Sequence, residues 1–250
     1  IDVPFIQDGL NWSVDFDEIE KVYASGLKVH ALCSPHNPLG RIYSREELSK
    51  FAQLAKKYDV VVISDEIHGP LALSGHEFVP FLAVSPEAAE VGICVTSASK
   101  AFNIAGLKSA LIVSQSAKMH EVLAKMPMSV HYRSSILGAF AAVEAFNKCD
   151  EWLAGAISTI ESNAHYLKTL LDTQLPAAKY EIPKCSYLAW VDVSALGLGE
   201  DPSQVFLEKG RVAFNAGKIY GASASQFVRI NLATSESVLT EAVNRMVKSL

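Results

Sequence analysis

Apolar residues follow two different rhythms along this chain. In the first half they come as short, nearly unbroken runs: KVHALC (28–33), VVVIS (60–64), GICVT (92–96) and SALIV (109–113). Runs of four to six residues, rich in β-branched side chains and without polar alternation, predict strands buried on both faces. Between them the apolar spacing becomes helical. VDFDEIEKVYAS (14–25) is one such stretch. Another opens at Ser44, where S-R-E-E reads as a capping box with Ser44 as N-cap and Glu47 three residues on, and it runs to about Tyr58. Strand, helix and strand in succession predict βαβ crossovers and a mostly parallel sheet.

From about Ser116 the pattern changes. Long helical stretches are predicted over 116–125, 132–147 and 150–174, and LPAAKY (175–180) reads as a break. KYEIPK, SYLAWVDV, RVAFNAG and QFVRINLA then predict a small antiparallel or mixed sheet, closed by a helix over 236–249. The expected organisation is an α/β domain over residues 1–130 followed by an α+β domain over 131–250, with the boundary inside helical sequence. There is no internal repeat and no low-complexity segment.

Composition narrows the function classes. Of the 250 residues, 50% are hydrophobic and 20% charged, and the net charge is −5. No basic block is present, so nucleic acid is not an expected partner. No apolar run approaches the length of a membrane span. Cys33, Cys94, Cys149 and Cys185 show no CxxC spacing and lie in or beside apolar segments, as reduced core thiols of a cytoplasmic protein would. The sequence opens Ile1-Asp2-Val3-Pro4 without a methionine, which suggests processing or a piece of a longer polypeptide.

In an open α/β sheet, chemistry gathers at the carboxyl ends of the strands. After KVHALC comes Ser34-Pro35-His36-Asn37-Pro38-Leu39-Gly40-Arg41, after VVVIS comes Asp65-Glu66-Ile67-His68, and after GICVT comes Ser97-Ala98-Ser99-Lys100. Each has a bland alternative. HNPLG is also a good turn, Asp65-Glu66 a helix cap or a solvated pair, His68 a loop histidine and Lys100 a surface charge. Asp65, Glu66, His68 and His76 lack a recognisable ligand framework, so no metal is expected. As one set the residues make chemical sense. A lysine amine forms a Schiff base with a carbonyl cofactor. An aspartate at the neighbouring strand end pairs with a pyridinium nitrogen, and the flanking hydroxyls take up a phosphate.

SPHNPLGR, SDEIH, SASK and FVRINLA, in that order, resemble the fold-type I pyridoxal-phosphate enzymes of the aminotransferase class I/II group, across essentially the whole chain. The PHNP and DEIH forms are more similar to the MalY/PatB-like cystathionine β-lyases (C–S lyases) than to ordinary aminotransferases, which more often carry Tyr where this chain has His68. The resemblance implies an α/β fold: part of a pyridoxal-phosphate transferase large domain and a C-terminal α+β small domain. It implies that pyridoxal 5'-phosphate is held on Lys100, which then serves as base and acid at the substrate α-carbon. Asp65 would pair with the pyridine nitrogen. Asn37 would bond the ring's 3-oxygen, with His68 near it and Asn37 also close to the substrate. Ser97 and Ser99 would contact the phosphate, and Arg229 would clamp the substrate α-carboxylate. Tyr187 and Tyr220 are weaker candidates for the substrate pocket.

Two departures stand out. Where many members carry a phosphate-binding Arg this chain has Lys108, a point charge rather than a planar fork. The glycine-containing phosphate loop and the ring-stacking aromatic residue expected N-terminal to Asn37 are not found, so the resemblance implies an N-terminally shortened member. It further implies an amino-acid substrate and a homodimer for the full-length protein. Lyase chemistry on cystathionine is favoured by His68 and PHNP. Amino transfer to a keto acid, or a regulatory protein-binding role on the same fold, are the alternatives.

Overall fold

The computed structural model describes residues 1–250, which divide into two compact units. The first comprises residues 1–35, 42–72 and 76–154, and the second comprises 36–41, 73–75 and 155–250. The division at 154/155 comes later than the expected 130/131. Residues 131–154 pack with the first unit: Phe102 meets Phe146 and Trp152, with ring centroids 5.6 and 6.0 Å apart, and the Ser135 N–H donates to the Lys108 carbonyl at 3.0 Å.

The first unit opens with a small hairpin, β1 (Ile6–Asp8) and β2 (Asn11–Ser13), followed by helix α1 (Phe16–Ala24). Its central sheet is built from β3 (Val29–Cys33), β4 (Val61–Asp65), β5 (Gly92–Thr96) and β6 (Leu111–Val113), in that spatial order. Helix α2 (Arg45–Lys57) is the crossover from β3 to β4, and α3 (Pro86–Val91) leads into β5. The predicted capping box is present, the Glu47 N–H donating to Ser44 Oγ at 3.2 Å and the Ser44 N–H to Glu47 Oε2 at 2.9 Å. Pairing is parallel from β3 to β4 and from β4 to β5, as the crossovers require. β6 pairs antiparallel with β5, because the segment from Thr96 to Leu111 turns back without a crossover helix. Leu48, Phe51, Ala52, Val60, Val62, Phe81 and Ala88 form the core of this unit, all of them nearly inaccessible to solvent. Helices α4 (Ala117–Leu123), α5 (Met128–His131) and α6 (Ile136–Lys148) follow, and the long α7 (Asp150–Gln174) begins at the end of the unit. Leu111, Ile112 and Val113 of β6 and Ile136, Leu137, Phe140 and Val143 of α6 are exposed.

The second unit carries most of α7 and a four-stranded sheet in the order β7 (Lys179–Tyr180), β8 (Leu188–Asp192), β10 (Phe227–Asn231), β9 (Asn215–Ala216), all antiparallel. Helices α8 (Pro202–Glu208) and α9 (Glu236–Lys248) complete it. Leu167, Leu171, Val191, Phe206, Val228, Leu232, Val243 and Met246 make its core. The predicted strand KYEIPK shortens to two residues and RVAFNAG to two. No helix is long and apolar enough to cross a membrane. None of the four cysteines forms a disulfide.

Candidate active site

In the first unit the register brings the strand ends together. Cys33 is the Cα partner of Asp65, and Asp65 of Val95, so β3 and β4 end level and β5 runs one residue further. The backbone remains laced just beyond β3 and β4, the Ser34 N–H donating to the Asp65 carbonyl at 3.0 Å and the Glu66 N–H to the Val95 carbonyl at 2.8 Å. Adjacent residues on a strand face opposite ways, and here that separates two carboxylates. Asp65 is exposed at the strand end, and its Oδ1 accepts the Ile67 N–H at 3.2 Å. Glu66 continues the buried face of Val62 and Ser64 and is 4% exposed. Its Oε1 accepts the Ser64 hydroxyl at 3.0 Å and the Phe81 N–H at 2.8 Å, with the Cys94 thiol also against it. Burial pushes the Glu66 carboxyl above its ordinary value, against the opposite pull of those donors. The Cys94 thiol is pushed up as well, first by burial and then by Glu66. His68 is buried and caps the short helical turn Gly69–Leu71.

Beyond β5 the chain folds into a tight turn in which the Phe102 N–H donates to the Ala98 carbonyl at 3.0 Å and the Ile104 N–H to the Ser99 carbonyl at 3.1 Å. This turn carries Lys100, half-buried, past the strand end. Ser97 is buried beside it. Ser97 Oγ lies 2.6 Å from the Ser109 carbonyl oxygen and 2.7 Å from Ser99 Oγ, and it accepts the Ser99 N–H at 3.0 Å. Lys108 is exposed in the left-handed region (φ 54°), at the end of the turn Ala105–Leu107. The structure therefore gathers Asp65, His68, Ser97, Ser99 and Lys100 around the carboxyl ends of β4 and β5, with Lys108 on the loop that returns to β6.

The second unit holds the remaining candidates. The segment His36–Arg41 belongs to it, looping so that the His36 N–H donates to the Arg41 carbonyl and the Gly40 N–H to the His36 carbonyl, each at 2.8 Å. The Ser34–Pro35 and Asn37–Pro38 peptide bonds are cis. Burial, and then the Arg41 charge, lower the His36 pKa to about 4. Arg229 lies on β10 between Trp190 of β8 and Asn215 of β9, its register partners on either side. Its Nη1 donates to Asn37 Oδ1 at 2.8 Å and its Nη2 to Asn215 Oδ1 at 2.9 Å. The Tyr220 ring lies 5.4 Å from the guanidinium carbon and edge-on to Trp190, which stacks on Phe227 at 5.0 Å. Tyr187 is half-buried, and its phenol is raised by burial and drawn down by the Arg229 charge. Of the residues singled out in the sequence, Asn37, Arg229, Tyr187 and Tyr220 lie in this unit, whereas Asn215, which bonds Arg229, was not among them. A lone Asn in a two-residue strand belongs to no motif, and only the pairing register could have pointed to it. No group of His, Cys, Asp and Glu is arranged to hold a metal ion.

The sequence model of the family described as aminotransferase class I and II matches residues 4–246. Cystathionine β-lyase PatB of Bacillus subtilis is 34% identical over 250 residues, covering 99% of this chain and 65% of that protein. Cystathionine β-lyase of Corynebacterium glutamicum is 34% identical over 94% of this chain and 63% of its own length. This chain thus spans less than two thirds of the length of these curated relatives. Among solved structures, cystalysin from Treponema denticola, which contains a pyridoxal 5'-phosphate cofactor, superposes with a TM-score of 0.92 at 30% identity, covering 98% of this chain and 63% of that one. With the two-unit architecture, the strand-end residues and these similarities in place, the chain belongs to the aminotransferase class I and II family.

Proposed function

We propose that the full-length protein is a pyridoxal-phosphate-dependent C–S β-lyase that cleaves cystathionine or a related cysteine S-conjugate to a thiol, pyruvate and ammonia. The observation that carries this reading is the register of β4 and β5, whose carboxyl ends lie within one residue of each other, with Asp65 at one and the Lys100 turn just past the other. The similarity to proteins named cystathionine β-lyase supports the choice of reaction.

The donor set fits the cofactor. Lys100 offers the amine for a carbonyl, Asp65 an exposed carboxylate for a ring nitrogen, and Ser99 and Lys108 a hydroxyl and a cation for a phosphate. Asn37 gives its carbonyl end to Arg229. Bound there, pyridoxal phosphate supplies an electron sink for the pair left behind when the α-carbon loses its proton.

Everything else falls to side chains. Arg229 would bind the amino acid's carboxylate. Lys100 Nζ takes the α-proton and returns it to the departing sulfur as the bond to the β-carbon breaks. Buried His68 follows Asp65 by three residues, at the start of the turn Gly69–Leu71. Ser97 braces the turn that bears the lysine by bonding the Ser109 carbonyl. The protein acts, on this reading, as a cytoplasmic homodimer.

The test is direct. Full-length protein incubated with pyridoxal phosphate should show an absorbance band near the visible edge, with borohydride fixing the label on Lys100. It should release pyruvate from cystathionine. A colourless protein, or amino transfer to a keto acid without pyruvate, overturns the proposal.

A further inference from the structure

We infer that Asn215 is a positioning residue. With Asn37 it holds the Arg229 guanidinium at both terminal nitrogens and thereby sets the direction in which the remaining N–H groups meet a carboxylate. The inference rests on the reading of Arg229 as the clamp for the substrate's α-carboxylate, and it names what keeps that clamp in place.

Three observations support it. First, the two contacts come from unrelated elements. Asn37 lies in the loop His36–Arg41 and Asn215 on edge strand β9, yet each carboxamide oxygen accepts from a different terminal nitrogen, at 2.8 and 2.9 Å. A guanidinium held at both ends cannot rotate in its plane, and a long side chain fixed before binding loses less rotamer freedom when the ligand arrives. Second, both acceptors are neutral amides. The guanidinium keeps its whole charge for an incoming anion, whereas an acid at either position would already have paired with it. Third, the donor count closes. Arginine has five N–H groups, the two amides occupy one on each terminal nitrogen, and the three left over exceed the two that a bidentate carboxylate needs. The Tyr220 ring, 5.4 Å from the guanidinium carbon and braced edge-on by Trp190, walls one flank.

The alternative is that Asn215 merely ties β9 to β10, where the backbone register already pairs it with Arg229. The two roles separate experimentally. Full-length protein loaded with pyridoxal phosphate is titrated with glycine and, separately, with glycinamide, following the shift of the cofactor absorbance band. Wild type should bind glycine more tightly than glycinamide, and Arg229→Gln should abolish that preference. Asn215→Ala should weaken glycine about tenfold, the scale of one lost hydrogen bond to a charged group, while leaving glycinamide within twofold. Asn215→Asp should also weaken glycine, because its charge neutralises the clamp although an acceptor is retained. Asn215→Ser replaces the Ala variant if the latter does not fold, and the same comparison is read from it. Equal losses for glycine and glycinamide, or unchanged glycine binding, overturn the positioning role. A wild type without a cofactor band, or without a glycine preference that depends on Arg229, overturns the underlying reading of the site and the inference with it.

Discussion

Glu66 and Phe81 are joined by a single hydrogen bond, in which the backbone N–H of Phe81 donates to a carboxylate oxygen sealed under the sheet, 2.8 Å away. That bond ties the far end of the loop after β4 to the strand end that bears Asp65. It also leaves an ionisable group where charge is costly, which gives stability a definite dependence on pH.

Burial raises the Glu66 carboxyl above the ordinary 4.5. The folded chain then holds this proton more tightly than the unfolded one, so the contribution is complete below the ordinary value and is lost as pH rises through the raised one. Glu66→Gln keeps an acceptor for Phe81 and carries no charge. Its unfolding free energy relative to wild type should increase between about pH 4 and pH 7, as read from denaturant melts. Parallel pH profiles for the two proteins would refute a charged, desolvated Glu66.

A second titration runs the other way. His30 is lowered by burial from 6.5 to about 4, and its Nδ1 lies 2.6 Å from the Tyr23 hydroxyl. The fold prefers the neutral ring. This stability is therefore complete above the ordinary value and is lost as pH falls from 6.5 towards 4, amounting to about 3 kcal/mol at the lower end. Unfolding of His30→Gln near pH 5 should take up about one proton fewer than wild type, measured from the slope of stability against pH.

Asn163 of α7 donates from Nδ2 to the carbonyls of Leu232 at 2.8 Å and Thr234 at 2.7 Å, securing the chain just after the strand that carries Arg229. Asn163→Ala leaves both carbonyls short of a donor and should cost about 2–4 kcal/mol. Asn163→Asp is expected to be no milder, since a carboxylate has no proton for either carbonyl. A thermal melt within 1 °C of wild type for either variant would contradict this.

Gly40 sits at φ 61°, and a Cβ there would run into Pro183. Its carbonyl also accepts the Lys184 N–H at 2.9 Å and the Cys185 N–H at 3.1 Å, so the loop bearing Asn37 cannot shift away freely. Gly40→Ala should cost about 2–4 kcal/mol, combining left-handed strain with the clash. Gly75 has φ 79° and nothing within 4 Å of an added Cβ, so Gly75→Ala isolates the backbone part, about 1 kcal/mol. The difference between the two melts measures the collision.

Much of this was legible in the residues because local rules decide it. The strands β3, β4 and β5, the Ser44–Glu47 box and the long helices follow from periodicity and capping. So does the delivery of Asp65 and Lys100 to strand ends. The direction of β6 was not legible, since apolar residues read the same in either sense and only the missing crossover reveals it. Asp65-Glu66 looked like one acidic pair, yet the two-residue period of β4 sends one carboxylate outward and the other under Phe81. Asn215 depends on register between short strands more than ten residues apart in sequence, and no local pattern encodes that.

The turn beside Lys100 has a polarity of its own. A hydroxyl owns one proton, yet Ser97 Oγ sits within bonding distance of two acceptors, the Ser109 carbonyl and Ser99 Oγ. If it donates to Ser109, Ser99 must turn its own proton inward to complete the pair. If Ser97 donates to Ser99 instead, the Ser99 proton is free to point outward. The two arrangements differ by a rotation of two O–H bonds and by no movement of heavy atoms.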